Sequence, residues 1–79
     1  MDIHIINAQA DLSCAEESLK CFAETHGAEK ENDDKTLDAL FTRVKTAIGF
    51  AIGTGSTADA IEAENWSVHL RYYINTRYR

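Results

Sequence analysis

The side chains that could bind a metal or react as nucleophiles include three histidines and two cysteines. Structural zinc sites usually contain cysteine pairs separated by about two to four residues, or histidine pairs separated by about three to five. No pair here has that spacing, because Cys14 and Cys21 are seven positions apart and His4, His26 and His69 are scattered along the chain. The sequence therefore predicts neither a metal site nor a bound cofactor.

The two cysteines fall within a segment of helical periodicity. Seven residues of helix span about 10 Å, more than the Cα separation of about 7 Å that a disulfide tolerates. We therefore expect Cys14 and Cys21 to be free, half-buried thiols on one side of a helix, in a reducing compartment. A disulfide to another chain and a zinc site that uses these thiols are the alternatives.

The run Gly53-Thr54-Gly55-Ser56 has the glycines of a phosphate-binding loop, in which backbone N–H groups before a helix hold an anion. It lacks the lysine of nucleotide-binding loops, and a helical pattern rather than a strand precedes it. A turn between two helices explains the same residues. No acid lies in an apolar run that would raise its pKa for acid–base catalysis, so the sequence predicts a protein without enzymatic activity.

The charge is distributed unevenly along the chain. The formal net charge is −5, and all 13 acids lie within residues 1–64, which carry −8 in total. The last fifteen residues contain three arginines, three tyrosines and no acid. Arginine and tyrosine anchor many protein interfaces, and basic aromatic segments also stack on single-stranded nucleic acids. Because the acidic body opposes a phosphate backbone, a protein partner is favoured and a nucleic-acid-binding module is the alternative.

Two groups of residues are the candidate contact sites. If the C-terminal segment is a strand, its solvent face presents His69, Arg71, Tyr73 and Arg77 to a partner protein. A second, acidic group is expected to be a solvated face that keeps a small protein soluble, and the alternative is that it imitates a nucleic-acid backbone and occupies a basic groove. It consists of Glu29, Glu31, Asp33 and Asp34.

Hydrophobic periodicity divides the chain into five predicted elements. Alternation of apolar and polar residues favours strands at both ends, and spacings of three and four residues favour helices between them. Ser13 is the predicted cap of the first helix. The predicted elements are a strand at 2–7, helices at 12–26, 34–52 and 57–64, and a strand at 66–77.

The C-terminal strand decides the predicted fold class. Trp66, Val68, Leu70 and Tyr72 alternate with more polar residues, which predicts that they are buried on one face of a strand. We therefore expect an α+β domain in which the terminal strands pair and a central helix hairpin covers them. The alternative is a continuous helix from Ser56 onward, and hence an all-α three-helix bundle.

Residues 1–79 have the length of one small domain. A two-stranded sheet is marginal in water and leaves open edges, so a homodimer is expected. The predicted core of the hairpin is Leu19, Phe22, Leu40, Phe41, Val44 and Ile48.

Together these features favour a small acidic interaction protein that regulates or inhibits a partner by occupying its surface. We expect it to be cytoplasmic, because the sequence shows no leader and no membrane-spanning run. In size and acidity the chain is similar in kind to small phage or mobile-element proteins that inhibit host defence, such as anti-CRISPR proteins.

Overall fold

The computed structural model describes residues 2–79, and this part of the chain contains helices and turns but no strand. Short turns join the helices. The four helices of residues 2–79 are α1 (Ile3–His26), α2 (Glu29–Asn32), α3 (Lys35–Thr54) and α4 (Thr57–Arg77). The α+β prediction is therefore wrong, and the fold is a bundle of three long helices with one short connecting helix.

Helices α1 and α4 run parallel to each other. Near their beginnings, His4 contacts Glu64, and near their ends, the ring of Phe22 contacts that of Tyr78. Helix α3 runs in the opposite direction, because it follows α2 at one end of the bundle and finishes beside the start of α1. Helix α4 packs extensively against both α1 and α3, whereas α1 and α3 contact each other less.

The predicted N-terminal strand at 2–7 is the first part of α1. The Asp2 carboxylate accepts a hydrogen bond of 2.8 Å from the His4 N–H, which caps the helix. Ile5 is buried, whereas Ile3 and Ile6 are exposed. Ile3 and Ile5 would share a face on a strand, but here only one of the two faces the core. Ser13, the predicted cap, lies inside α1. The alternating run is too short to distinguish a strand from the start of a helix.

The predicted C-terminal strand at 66–77 is the second half of α4. Ser67, Leu70 and Ile74 are buried at spacings of three and four residues, whereas Val68 and Tyr72 are 55% and 71% exposed. The helix therefore buries one polar residue and exposes two large apolar ones. Because the buried face of α4 is completed by a serine and by alanines, hydrophobicity alone did not predict it.

The helix ends in the middle of the chain follow the sequence signals. The Asp34 carboxylate caps α3 by accepting a hydrogen bond of 2.9 Å from the Leu37 N–H. Gly55 ends α3 in the left-handed region at φ 69°, where glycine has no steric penalty. The Ser56 hydroxyl accepts from the Asp59 N–H and begins α4. Helix α3 covers residues 35–54 against the predicted 34–52, and α4 begins at the predicted residue 57 but continues well beyond the predicted end at residue 64.

Most residues of the predicted hairpin core are buried, but a hairpin of two helices does not bury them by itself. Helix α4 supplies much of the remaining core surface for α1 and α3. Phe22 and Phe41 are only half-buried at the margin of the core. The predicted core residues that are buried are Leu19, Leu40, Val44 and Ile48.

Candidate interaction surface

The residues predicted to form one contact face lie on different sides of α4. Arg71 points to α1, where its Nη1 lies 2.9 Å from Asp11 Oδ1. Tyr73 points to α3, where its hydroxyl donates to Asp34 Oδ2 at 2.8 Å. Residues two apart on a helix are separated by about 200° around its axis, whereas on a strand they share a face. The common solvent face predicted for Arg71 and Tyr73 is therefore wrong.

Arg71 belongs to a polar contact between α1 and α4. The hydrogen bond to Asp11 raises the pKa of the Arg71 guanidinium and outweighs the opposing effect of burial. The second oxygen of Asp11 lies 2.9 Å from the hydroxyl of buried Ser67. Arg71 nevertheless keeps 45% of its side chain exposed, so part of the guanidinium remains accessible.

His69, Tyr73 and Arg77 lie four residues apart on the edge of α4 that borders α3. The Arg77 guanidinium carbon is 4.9 Å from the centroid of the Tyr73 ring, and the His69 ring is 6.0 Å from that of Trp66. His69 and Arg77 are exposed, and Tyr73 is half-buried. Of the four predicted contact residues, His69, Arg71 and Arg77 thus have surface that another molecule could touch.

The predicted acidic group divides into exposed and structural residues. Glu29 and Asp33 are exposed on α2 and its C-terminal cap, and Glu31 is partly exposed. Asp34 instead makes its contacts within the chain. Burial raises the pKa of its carboxyl group, but hydrogen bonds from the Leu37 N–H and from the Tyr78 and Tyr73 hydroxyls have the larger, opposite effect, so the pKa is lowered overall.

Both cysteines are exposed free thiols on the side of α1 that faces the end of α4. The prediction of free thiols is confirmed, and that of half-burial is wrong. They line a shallow cleft of about 570 Å³ together with Arg71 and Arg79. Within residues 2–79, no three side chains of His, Cys, Asp and Glu are grouped so that they could hold a metal ion.

The surface that sequence reasoning missed is the side of α4 that faces away from the core. Six exposed positions there are separated by alternating steps of three and four residues, the spacing of a coiled-coil seam. We call them the α4 seam: Ala58, Ile61, Asn65, Val68, Tyr72 and Asn75. Among these, Ile61, Val68 and Tyr72 expose 41%, 55% and 71% of their surface. The spacing was present in the sequence, but it becomes meaningful only once the segment is known to be helical.

Charged residues flank the α4 seam on both sides. Glu62 and His69 follow seam positions Ile61 and Val68 and lie on the α3 side. Glu64 and Arg71 precede seam positions and lie on the α1 side. An apolar strip between charged edges is the arrangement with which helices recognise other helices.

Comparison with protein-family models, curated proteins and solved structures found no significant match. Among residues 2–79, no helix has both the length and the apolar character needed to cross a membrane.

Proposed function

We propose that this protein is a non-enzymatic interaction protein, a regulator or inhibitor that occupies the surface of a partner protein through its α4 seam. The observation that carries the proposal is the exposure of Ile61, Val68 and Tyr72 on the face of α4 opposite the core. No other helix within residues 2–79 packs against this face. We further propose that it acts in the cytoplasm, where a reducing environment suits its two exposed thiols.

The energetics of burial support a protein as the partner. Full burial of a fully exposed isoleucine or valine side chain contributes roughly 1.5–3 kcal/mol. Ile61 and Val68 are 41% and 55% exposed, so covering each would contribute about half of that. Tyr72 adds a large ring with a polar tip, the combination enriched at the centres of protein interfaces. His69 and Arg71 stand at the two edges of this strip, where they would contact the rim of a partner.

The contacts of the basic residues argue against the nucleic-acid alternative. Arg71 is paired with Asp11, and Arg77 lies against the ring of Tyr73. The hydroxyls of Tyr73 and Tyr78 are bound to Asp34, which holds these rings in the bundle rather than on an open stacking surface. The electrostatic attraction for phosphates, already small at a net charge of −5, is thereby reduced further.

Site-specific photo-crosslinking tests this function. A photoreactive phenylalanine analogue in place of Tyr72 should form a covalent adduct with a partner protein in the native host. The same analogue in place of Thr42, an exposed residue of α3, is the matched control and should give no such adduct. The additional substitution Val68→Asp, which places a charge in the seam without touching the core, should abolish the Tyr72 adduct.

The proposal is wrong if positions 72 and 42 give the same adducts, or if the Val68→Asp variant crosslinks as before. Adducts to DNA or RNA at position 72 that disappear steeply with added salt would instead establish the nucleic-acid alternative.

A further inference from the structure

We propose that the α4 seam pairs with the α4 seam of a second copy of this chain, with the two helices antiparallel and in one defined register. This inference rests on the proposed function in that it takes the same seam to be a contact surface. A second copy and the partner protein would compete for that seam. It also replaces the strand-edge homodimer expected from the sequence, since residues 2–79 contain no strand.

The seam has a self-complementary arrangement. In the proposed pairing, a two-fold axis crosses α4 between Trp66 and Ser67, so each seam position faces the seam position of the other copy that lies equally far on the other side of the axis. Ile61 of one copy then faces Tyr72 of the other, and Asn65 faces Val68. Ile61 and Tyr72 thus cover each other across the interface, and the two-fold axis repeats every contact.

The charges at the edges of the seam match in the same register. In antiparallel helix pairs, positions on one edge meet the same edge of the other helix. On the α3 side, Glu62 of one copy meets His69 of the other, whose imidazole N–H can donate to the carboxylate. On the α1 side, Glu64 meets Arg71. Symmetry doubles both contacts, so four complementary pairs surround the apolar strip.

The contacts that Glu64 and Arg71 make within the chain leave them able to pair across this interface. Glu64 accepts from His4 through Oε1, at 2.9 Å, and also from the Asn7 side chain, but an ionised carboxylate has about four acceptor sites in all. Arg71 uses Nη1 for Asp11, and a guanidinium carries five N–H donors in a planar fork. Asp11 and His4 therefore hold these side chains at the edges of the seam instead of removing them from it.

Other registers bring like charges together. Moving one helix by seven residues in one direction places Glu64 opposite Glu64 and Glu62 opposite Glu62. The opposite shift places Arg71 opposite Arg71. A parallel pair would match Glu64 with His69 but leave Arg71 facing Thr76, so it has half the number of complementary contacts. The antiparallel register centred on the middle of the seam is therefore favoured.

The size of the seam indicates a weak dimer. From residue 58 to residue 75 the helix is about 26 Å long, and only three large apolar side chains lie along it. Asparagine at a seam position reduces stability while restricting register. Such an interface is at the small end of specific contacts, so we expect dissociation in the range of about 100 μM.

A charge exchange across the seam tests the register. Sedimentation velocity at about 500 μM should show mostly dimer for the natural protein and mostly monomer at about 10 μM. The His69→Glu variant places two glutamates opposite each other twice and should weaken association by about tenfold or more. Adding Glu62→Lys to that variant should restore association, because the lysine introduced at position 62 would then face the glutamate introduced at position 69 of the other copy.

The double variant distinguishes an antiparallel pair from a parallel one. The three proteins together also distinguish a loss of association from a loss of folding. In a parallel pair, a glutamate at position 69 would repel Glu64, and a change at position 62 would give no relief. Both substituted residues are exposed, so thermal unfolding followed by circular dichroism should be nearly the same for all three proteins. Failure of the double variant to recover association would overturn the proposed register.

Self-pairing and the function proposed above can fail separately. A chain that remains monomeric at about 500 μM, while Tyr72 crosslinks to a different protein in the host, would overturn the self-pairing and leave the proposed function intact. A dimer with the expected response to charge exchange, but no crosslink to any other protein, would support self-pairing and contradict the function.

Discussion

The hydroxyl of Tyr78 donates a hydrogen bond of 2.7 Å to Asp34 Oδ2, and thereby joins the end of α4 to the residue that caps α3. Tyr73 donates to the same oxygen at 2.8 Å, and the Leu37 N–H donates to Oδ1. One carboxylate thus receives three hydrogen bonds and holds the end of the bundle together. Asp34 was predicted from the sequence as part of an acidic contact patch, but its contacts make it a structural residue.

Replacing Asp34 with alanine should lower the free energy of unfolding by about 2–4 kcal/mol. Loss of a helix cap costs about 1 kcal/mol, and hydroxyls left without a partner beside the core cost about 1–3 kcal/mol more. Urea unfolding followed by circular dichroism measures this difference. Asp33→Ala is the matched control, since Asp33 is exposed and should change stability by less than about 0.5 kcal/mol. Equal effects of the two substitutions would show that the tyrosine contacts do not stabilise the fold.

The stabilisation by Asp34 should depend on pH in a defined direction. The pKa of Asp34 in the folded protein is lowered from its ordinary value of 3.8. Its ionised form therefore stabilises the fold fully above about pH 5, and this stabilisation disappears as the pH falls through the lowered pKa. The difference in unfolding free energy between the natural protein and Asp34→Asn should shrink between pH 6 and pH 3. Glu64, whose pKa is also lowered, by hydrogen bonds from His4 and Asn7, is present in both proteins and cancels in this comparison. A difference that stays constant with pH would contradict the assignment.

The predictable parts of the fold are those with local signals. The cap at Asp34, the left-handed glycine at 55 and the cap at Ser56 act on their immediate neighbours, and the predicted helix starts at 34 and 57 lie within one residue of those in the structure. The end of α1 at Gly27 has the same local origin. Local chemistry therefore fixes where the chain turns.

The terminal elements were mispredicted because tertiary contacts determine them. Helix α4 buries Ser67 against Asp11 and exposes Val68 and Tyr72, so its hydrophobic pattern alternates as in a strand. A polar residue becomes suitable for the core only when a partner from another helix, here Asp11, is available. The candidate site was mispredicted for a related reason. The directions in which His69, Arg71 and Tyr73 point depend on this segment being a helix, and the residue types alone do not determine them.

Leu70 and Val68 provide a direct test of the phase of α4. Leu70 is fully buried, and Leu70→Ala should destabilise the protein by about 2–5 kcal/mol. Val68→Ala should change stability by less than about 0.5 kcal/mol, because the valine is exposed. On a strand, Val68 and Leu70 would lie on the same face, and both substitutions would change the stability by similar amounts. Chemical denaturation of both variants therefore distinguishes the two structures.

Some fully buried positions of α1 and α4 are occupied by alanine. Ala8 on α1 and Ala60 and Ala63 on α4 are fully buried. Replacing Ala63 with leucine would force a larger side chain into this packed region and should cost about 1–3 kcal/mol or more. Ala58→Leu, on the exposed seam of the same helix, is the control and should leave the melting temperature nearly unchanged. A stable Ala63→Leu variant would indicate that the surroundings of Ala63 leave room for a larger side chain.

The two thiols should react without unfolding of the protein, but not with each other. Cys14 and Cys21 are both exposed, so an aromatic disulfide reagent should titrate two thiols per chain in the absence of denaturant, against one each for Cys14→Ser and Cys21→Ser. Two turns of α1 separate the cysteines by about 10 Å, too far for a disulfide between them unless the helix opens. Mild oxidation should therefore produce disulfide-linked dimers and larger species, visible on non-reducing gels, while the monomer keeps both thiols. A monomer that loses both thiols and about 2 Da on oxidation would show that α1 unwinds between these residues, contrary to the continuous helix from Ile3 to His26.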